Sequence, residues 1–146
     1  MDAQDIEIRP LGPGDEQAVL DAGDLFDDPP EPAATRRFLK QDNHHLLIAY
    51  GSGDSPLGFV TGVETTHPDK GTEMFLYELG VAEGVRRRGI GTALVTALAD
   101  LARERGCYAM WTGTERDNDA ARATYRRGGA TTNPPHEFVD WDLSVD

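Results

Sequence analysis

One stretch of the chain constrains the fold more than any other, because it joins an apolar segment, a loop rich in glycine and arginine, and an amphipathic segment. Met74 to Val81 reads MFLYELGV and predicts a central strand buried on both faces. From Ile90 to Leu101, apolar residues recur on one stripe at helical spacing and predict a long helix. The loop from Arg86 to Gly91 therefore leads from a strand into the N-terminus of a helix.

This loop has the composition of an anion site. The first N–H groups of a helix have no intrahelical acceptor and point toward the positive end of the helix dipole. Gly89 and Gly91 allow a close approach to the backbone, and the three arginines add charge and paired donors. Taken alone, the loop fits equally a solvated arginine turn before a helix that contains glycine. It matches neither a G-x-G-x-x-G dinucleotide fingerprint nor a P-loop.

The remaining pattern predicts one mixed α+β domain over residues 1–146, with the element order β-α-α-β-β-β-α-β-α-β. Alternation, capping residues and breakers predict the following further elements: a strand at Ile6–Ile8, a helix capped by Asp15, a short helix capped by Thr35, strands at His45–Tyr50, Leu57–Glu64 and Cys107–Thr112, a helix at Asp119–Arg127 and a last strand at Glu137–Leu143.

The charge of the chain limits its partners. It has 26 acidic and 14 basic residues and a formal net charge of -12, which argues against nucleic-acid binding and favours a cationic partner. Nine of the basic residues lie between Arg86 and Arg127, whereas the segment from Pro10 to Thr35 has seven acids and no basic residue. One segment is suited to an anion, and the flanking ones to a cation or to water.

Other classes of site find little support in the sequence. No apolar run approaches the roughly 20 residues of a membrane helix, and the N-terminus lacks a basic leader, so we expect a cytoplasmic protein without a membrane partner. The single cysteine, Cys107, suits a reducing compartment and is expected to be a buried strand residue. The four histidines lack the spacing of metal ligands, so the sequence predicts no metal.

Two motifs resemble those of the GCN5-related N-acetyltransferases. Arg86-x-x-Gly89-x-Gly91 is similar to the pyrophosphate-binding motif of that superfamily, and the segment from Asn118 to Gly128 resembles its second motif. The second match departs at its end, where Gly128-Gly129-Ala130 replaces the usual Gly-Phe. The resemblance implies a mostly antiparallel twisted sheet flanked by helices, with acetyl-CoA as the cofactor.

A narrower resemblance is to the aminoglycoside 3-N-acetyltransferases of this superfamily. It rests on Phe75–Val81, on Asp21–Phe26 and on the acidic, aromatic ending Phe138–Leu143. Glu78 stands where those enzymes have aspartate, so the position of the amine can differ. The resemblance implies a cationic small-molecule amine as the acceptor, a role in antibiotic resistance and a homodimer.

The chemistry needs a base for the amine, an acid for the departing thiolate, and a donor for the thioester oxygen. The resemblance implies Glu78 as the general base, Tyr125 as the general acid, and the N–H of Gly80 or Val81 at the oxygen. The expected cofactor contacts are Leu79, Gly80, Val81, Arg86, Arg87, Arg88, Gly89, Ile90, Gly91, Thr92, Asn118, Ala121 and Tyr125. The expected acidic rim for the acceptor is Asp24, Asp27, Asp28, Glu31, Glu78, Glu115, Asp117, Asp140 and Asp142.

Other readings of these residues stay open at this point. Glu78 can be a structural carboxylate or face solvent, Tyr125 can simply pack its helix onto the sheet, and most of the acids can be solvated surface residues. At the level of function, the acceptor can instead be a polyamine, an amino-sugar or a protein amine. A sensor that binds CoA without catalysis is the alternative from another class.

Overall fold

The described part of the chain, residues 5–144 of a computed structural model, forms a five-stranded sheet in the order β1-β2-β3-β4-β5. The strands are β1 (Glu7–Leu11), β2 (His44–Tyr50), β3 (Pro56–His67), β4 (Gly71–Val81) and β5 (Ala109–Trp111). The helices are α1 (Glu16–Asp21), α2 (Pro32–Lys40), α3 (Ile90–Glu104) and α4 (Asp119–Arg127). All neighbouring strands are antiparallel except β4 and β5, which confirms the expected mostly antiparallel sheet.

Each face of the sheet carries its own core. On one face, the helix α3 packs its apolar stripe against residues that alternate along the strands; this cluster includes Leu47, Val60, Met74, Leu76, Ile90, Leu94 and Leu98. On the other face, α1 and α2 cover a second cluster that includes Val19, Leu39, Leu46, Ile48 and Phe59. The second cluster takes its strand residues from β1, β2 and β3.

The short helix α2 begins earlier than the sequence pattern predicted. Thr35 is not its cap but a buried residue inside the helix. The N-cap is Glu31, whose carboxylate accepts from the N–H groups of Ala33 (3.0 Å) and Ala34 (2.6 Å). Those backbone hydrogen bonds lower the pKa of Glu31. Pro32 follows as the first helical residue, a position where its missing N–H costs nothing.

In the C-terminal third, one predicted strand is shorter than expected and another is absent. The strand predicted at Cys107–Thr112 is only Ala109–Trp111, with Cys107 half-buried before it. The strand predicted at Glu137–Leu143 is absent, and that segment is exposed without regular structure. Its alternating pattern is that of a half-buried strand, but an alternating segment becomes a strand only where a neighbouring edge supplies hydrogen bonds.

At the end of the sheet opposite the C-terminus of β4, ion pairs join the strands to the end of α3. Glu64 on β3 contacts His45 Nε2 at 2.6 Å and Arg105 Nε at 2.8 Å, and its side chain is only 10% exposed. Arg105 follows α3 directly, so this carboxylate joins the end of α3 to the sheet. Burial alone would raise the pKa of Glu64, but the hydrogen bonds from His45 and Arg105 outweigh it and lower that pKa.

Candidate active site

A β-bulge decides where Glu78 points. Thr61 of β3 lies opposite Glu78, whereas the next residue, Gly62, lies opposite Leu76, so Tyr77 is an extra residue in β4. Without it, strict alternation would turn Glu78 to the face of Leu76, into the core beneath α3. The bulge instead puts Glu78 on the face covered by α1 and α2, where it is exposed and accepts a hydrogen bond from Thr61 Oγ1 at 3.2 Å. The predicted burial of this strand on both faces is therefore wrong at Tyr77 and Glu78.

The same bulge turns backbone donors toward an open edge. The N–H of Ala82 donates to the carbonyl of Leu57 on β3 at 2.7 Å. Because amide direction alternates along a strand, the N–H of Gly80 also faces β3, while those of Leu79 and Val81 face away from it. Of the two expected donors for the thioester oxygen, this geometry favours Val81.

The edge of β4 is open at this point because β5 pairs with only its first half. The parallel pairing joins Glu73, Met74 and Phe75 to Ala109, Met110 and Trp111 and then stops. Where it stops, Thr112 Oγ1 donates to the carbonyl of Leu76 at 2.8 Å, so a side chain takes the place of the next ladder bond. Beyond it the strands separate, and an extended amide-bearing chain can pair with Leu79 and Val81 as an added strand.

The arginine loop opens α3 with donors directed outward. Gly89, the N-cap, has a left-handed φ of 81°, and Arg87 has a φ of 67°. Gly89 has no side chain that could cap α3, so the cap residue leaves the first N–H groups of the helix to another acceptor, which an anion can supply. Arg86 Nε donates to the carbonyl of Val81 at 3.2 Å, which ties the loop to the end of β4.

The helix α4 forms the other wall of this opening. Gly91 lets it come close, because a Cβ there would lie 3.2 Å from Thr124 Cγ2. Asn118 caps α4 by accepting from the N–H of Ala121 at 3.1 Å, so its carbonyl oxygen has a structural role and its NH₂ group is the part that faces other partners. Ala121 is half-buried one turn further along.

Tyr125, on the same helix, is half-buried and packs against the core under α3. Burial raises its pKa, and a hydrogen bond with Thr112 opposes that shift in part. The phenol therefore stays protonated, as a proton donor must, at neutral pH. Through Thr112 it is connected to the point where β4 and β5 separate.

A cavity of about 330 Å³ lies between Glu78 and α2. Its walls are mainly apolar, and its polar groups are the carboxylates of Glu78, Asp27 and Asp28 with the hydroxyls of Thr35 and Thr61. Its remaining lining residues are Val19, Phe26, Pro30, Ala34, Phe38 and Leu46. Within residues 5–144, no ion pair involves any of the three carboxylates, so their charge is available to a cation.

The structure brings together only part of the expected acidic rim. Asp27, Asp28 and Glu78 line the cavity; Asp24, Glu31, Glu115, Asp117, Asp140 and Asp142 do not. Glu31 is used as a helix cap, Glu115 and Asp117 lie in the loop before α4, and Asp142 accepts from Ser144 in the irregular C-terminal segment. Those hydrogen bonds from Ser144 lower the pKa of Asp142.

Sequence reasoning missed Thr61, Phe26 and Phe38. Thr61 is a buried polar residue in an apolar strand, and that mismatch is a signal that could have singled it out. The two phenylalanines are typical core residues by composition, and only the tertiary structure places them at the cavity.

Residues 5–144 contain no group of three or more His, Cys, Asp or Glu side chains arranged to hold a metal ion. None of the helices formed by those residues is long and apolar enough to cross a membrane.

Comparisons with known proteins identify the family of the chain. The model of the acetyltransferase (GNAT) family matches residues 15–129. The N-alpha-acetyltransferase RimI of Mycobacterium tuberculosis is 35% identical over 132 residues, which cover 88% of this chain and 80% of that protein.

Solved structures give the same fold. An aminoglycoside acetyltransferase from an uncultured soil metagenomic sample, solved with trehalose, superposes with a TM-score of 0.88 at 20% identity, covering 97% of this chain and 99% of that one. An aminoglycoside N-acetyltransferase of the 6′ type, solved with CoA, superposes with a TM-score of 0.77 at 20% identity, covering 93% of this chain and 94% of that one.

The residues present fit the acyl donor that this family uses. A diphosphate is matched by the outward N–H groups of α3 and by three arginines, and a pantetheine arm by the free amides on the open edge of β4. When bound, acetyl-CoA supplies an activated acyl group as a thioester. The chain belongs to the GNAT family and is an acetyl-CoA-dependent N-acetyltransferase.

Proposed function

We propose that this protein acetylates the 3-amino group of an aminoglycoside by direct transfer from acetyl-CoA. The observation that carries the proposal is the cavity lined by Glu78, Asp27 and Asp28, none of which makes an ion pair within residues 5–144. Aminoglycosides carry several ammonium groups, and such a cluster of carboxylates attracts and orients them. The likeness to aminoglycoside acetyltransferases supports this choice of acceptor.

In the proposed mechanism, Glu78 removes a proton from the amine, directly or through one water. The nitrogen then forms a bond to the acetyl carbon while the carbon–sulfur bond breaks. The N–H of Val81 donates to the acetyl oxygen as negative charge develops there. Tyr125 gives its proton to the departing thiolate and is reprotonated from solvent. Overall, an amine and a thioester are converted into an amide and a thiol.

A second candidate acceptor is a protein N-terminal amine. It is favoured by the 35% identity to RimI, which is named as an N-alpha-acetyltransferase. The apolar wall formed by Phe26 and Phe38 would suit the side chain of an N-terminal residue. The carboxylates of Glu78, Asp27 and Asp28 would suit this acceptor as well, because an N-terminal amine is also a cation.

An amine panel followed by release of the CoA thiol separates these acceptors. The purified protein is assayed with acetyl-CoA and gentamicin, spermidine or a short peptide with a free N-terminus. The proposal expects the highest kcat/KM with gentamicin. A preference for the peptide would replace the proposed acceptor, and no thiol release with any amine would leave only a CoA-binding protein.

The assignment of Tyr125 is tested by Tyr125→Phe, which removes the proton and keeps the ring. The expected result is a fall in kcat of about 100-fold, within the usual range for loss of a general acid, with the melting temperature unchanged. A packing role predicts the reverse, an unchanged kcat. Because burial raises the pKa of Tyr125, the wild-type enzyme should keep its activity above pH 9, whereas an unshifted phenol would lose it sooner.

A further inference from the structure

Three aromatic side chains on β4 and β5, close to Glu78 along the sheet, have no part in the mechanism above. Phe75 stacks on Trp111 with ring centroids 4.3 Å apart, and Tyr77 lies against Phe75 at 5.5 Å. We call this group, Phe75, Tyr77 and Trp111, the aromatic platform. Tyr77 is 65% exposed and Trp111 is 49% exposed.

The platform belongs to the same face of the sheet as the cavity. Met74, Leu76 and Met110 pack toward α3, so their neighbours Phe75 and Trp111 lie on the opposite face, the one that α1 and α2 cover over β1 to β3. The bulge then keeps Glu78 on this face as well, directly after Tyr77. Cavity and platform therefore lie on the same face of the sheet, and Glu78 directly follows Tyr77 of the platform.

Exposed aromatic rings of this kind bind particular chemistry. Their faces carry partial negative charge and attract the C–H face of a sugar ring or an ammonium group. An acceptor anchored with one amine at Glu78 and extending away from α2 would lie over these rings. The net charge of -12 makes a cationic molecule the complementary one.

We propose that the aromatic platform is a binding subsite for the part of the acceptor beyond the reacting amine, and that it takes a cationic amino-sugar ring by stacking. The inference rests on the proposed function, because it assumes that the acceptor's amine reacts at Glu78. It adds that discrimination between acceptors is made by Trp111 and Tyr77, which do not contact the reacting atoms.

The test compares a whole acceptor with a truncated one. Gentamicin carries its 3-amino group on a central ring with further rings attached, and 2-deoxystreptamine is that central ring alone. Trp111→Ala should raise KM for gentamicin about tenfold, the equivalent of one lost stacking contact, and leave KM for 2-deoxystreptamine and for acetyl-CoA unchanged. Trp111→Phe keeps an aromatic face and should recover most of the loss.

Tyr108→Ala is the matched control. Tyr108 is also an exposed aromatic residue, 52% exposed, but it lies at the far end of β4, where its N–H donates to the carbonyl of Thr72. Tyr108→Ala should leave the KM values for gentamicin, 2-deoxystreptamine and acetyl-CoA unchanged. A melting curve checks that each variant is folded.

The remaining outcomes are separable. If the wild-type enzyme does not acetylate gentamicin, the proposed function fails. If it does and Trp111→Ala leaves its KM for gentamicin unchanged, or raises both acceptor KM values equally, the subsite is refuted. If Trp111→Ala converts a dimer into a monomer in sedimentation, the platform is an interface between copies, and the subsite is again refuted.

Discussion

The two ends of the hairpin formed by β3 and β4 use carboxylates in opposite ways. At one end, Glu64 is 10% exposed and is held by His45 and Arg105, and Glu73 pairs with His67. At the other end, Glu78 is exposed, makes no ion pair within residues 5–144, and accepts a hydrogen bond from the neutral hydroxyl of Thr61. A carboxylate held by basic side chains is committed to the fold, whereas one positioned by a neutral hydroxyl keeps its charge for a ligand.

The largest effect on activity should come from substituting Glu78, at the end of the hairpin that carries the candidate active site. Glu78→Gln keeps the shape and the acceptor of the Thr61 hydrogen bond but removes the base, so kcat near neutral pH should fall about 100-fold or more. The loss should shrink as pH rises, because more of the amine is already unprotonated in solution. Thiol release measured from about pH 6 to about pH 9 checks this.

An equal loss at every pH would mean that Glu78 binds the acceptor and does not accept its proton. The melting temperature of Glu78→Gln should match the wild type, since Glu78 is exposed and makes no ion pair within residues 5–144. A large fall in that temperature would make Glu78 a structural carboxylate and remove the contrast between the two ends.

A substitution of Glu64, at the other end of the hairpin, should lower stability and leave activity unchanged. Glu64→Gln should lower the free energy of unfolding by about 1–3 kcal/mol, because His45 and Arg105 lose a charged partner, and should leave kcat unchanged. That corresponds to a melting temperature lower by roughly 3–10 °C for a domain of this size. Thermal denaturation followed by circular dichroism measures it.

The pH dependence of that difference has a defined sign. The pKa of Glu64 is lowered in the folded state, so its ionised form stabilises the protein above the ordinary glutamate pKa, and this contribution is lost as pH falls through the folded value. The gap between the wild type and Glu64→Gln should therefore narrow in acid. A gap that widened in acid would contradict the ion-pair account.

The smallest effect should come from Thr61, which orients Glu78. Thr61→Val removes the donor to Glu78 and keeps the shape, and kcat should fall about fivefold, the equivalent of about 1 kcal/mol. KM for acetyl-CoA should stay unchanged. Thr61→Ser, which restores the hydroxyl, should recover the rate, and a variant that recovers nothing would show that Thr61 acts only by packing.

The sequence predicts the arginine loop and the helix that follows it well, because those signals are local. The loop from Arg86 to Gly91 lies where a strand and an amphipathic stripe meet, and α4 spans Asp119–Arg127 and ends at Gly128, as predicted. Pro32 also carried a usable signal, since proline favours the first turn of a helix and so places the cap at Glu31.

The parts that were missed depend on distant partners. The bulge at Tyr77 is visible only from the register with Thr61 and Gly62, because the apolar run MFLYELGV has no clear alternation to interrupt. The segment 137–143 alternates as a strand does, yet it has no partner edge within the described chain. Likewise, only two of the seven acids between Pro10 and Thr35, Asp27 and Asp28, reach the cavity.

The position of the acetyl group on the product tests the central claim most directly. Gentamicin incubated with the enzyme and acetyl-CoA is purified, and the acetylated nitrogen is located by nuclear magnetic resonance. The account predicts a single acetyl group on the 3-amino nitrogen. Recovery of unmodified gentamicin would contradict it, whether the protein acetylates another amine or no amine at all.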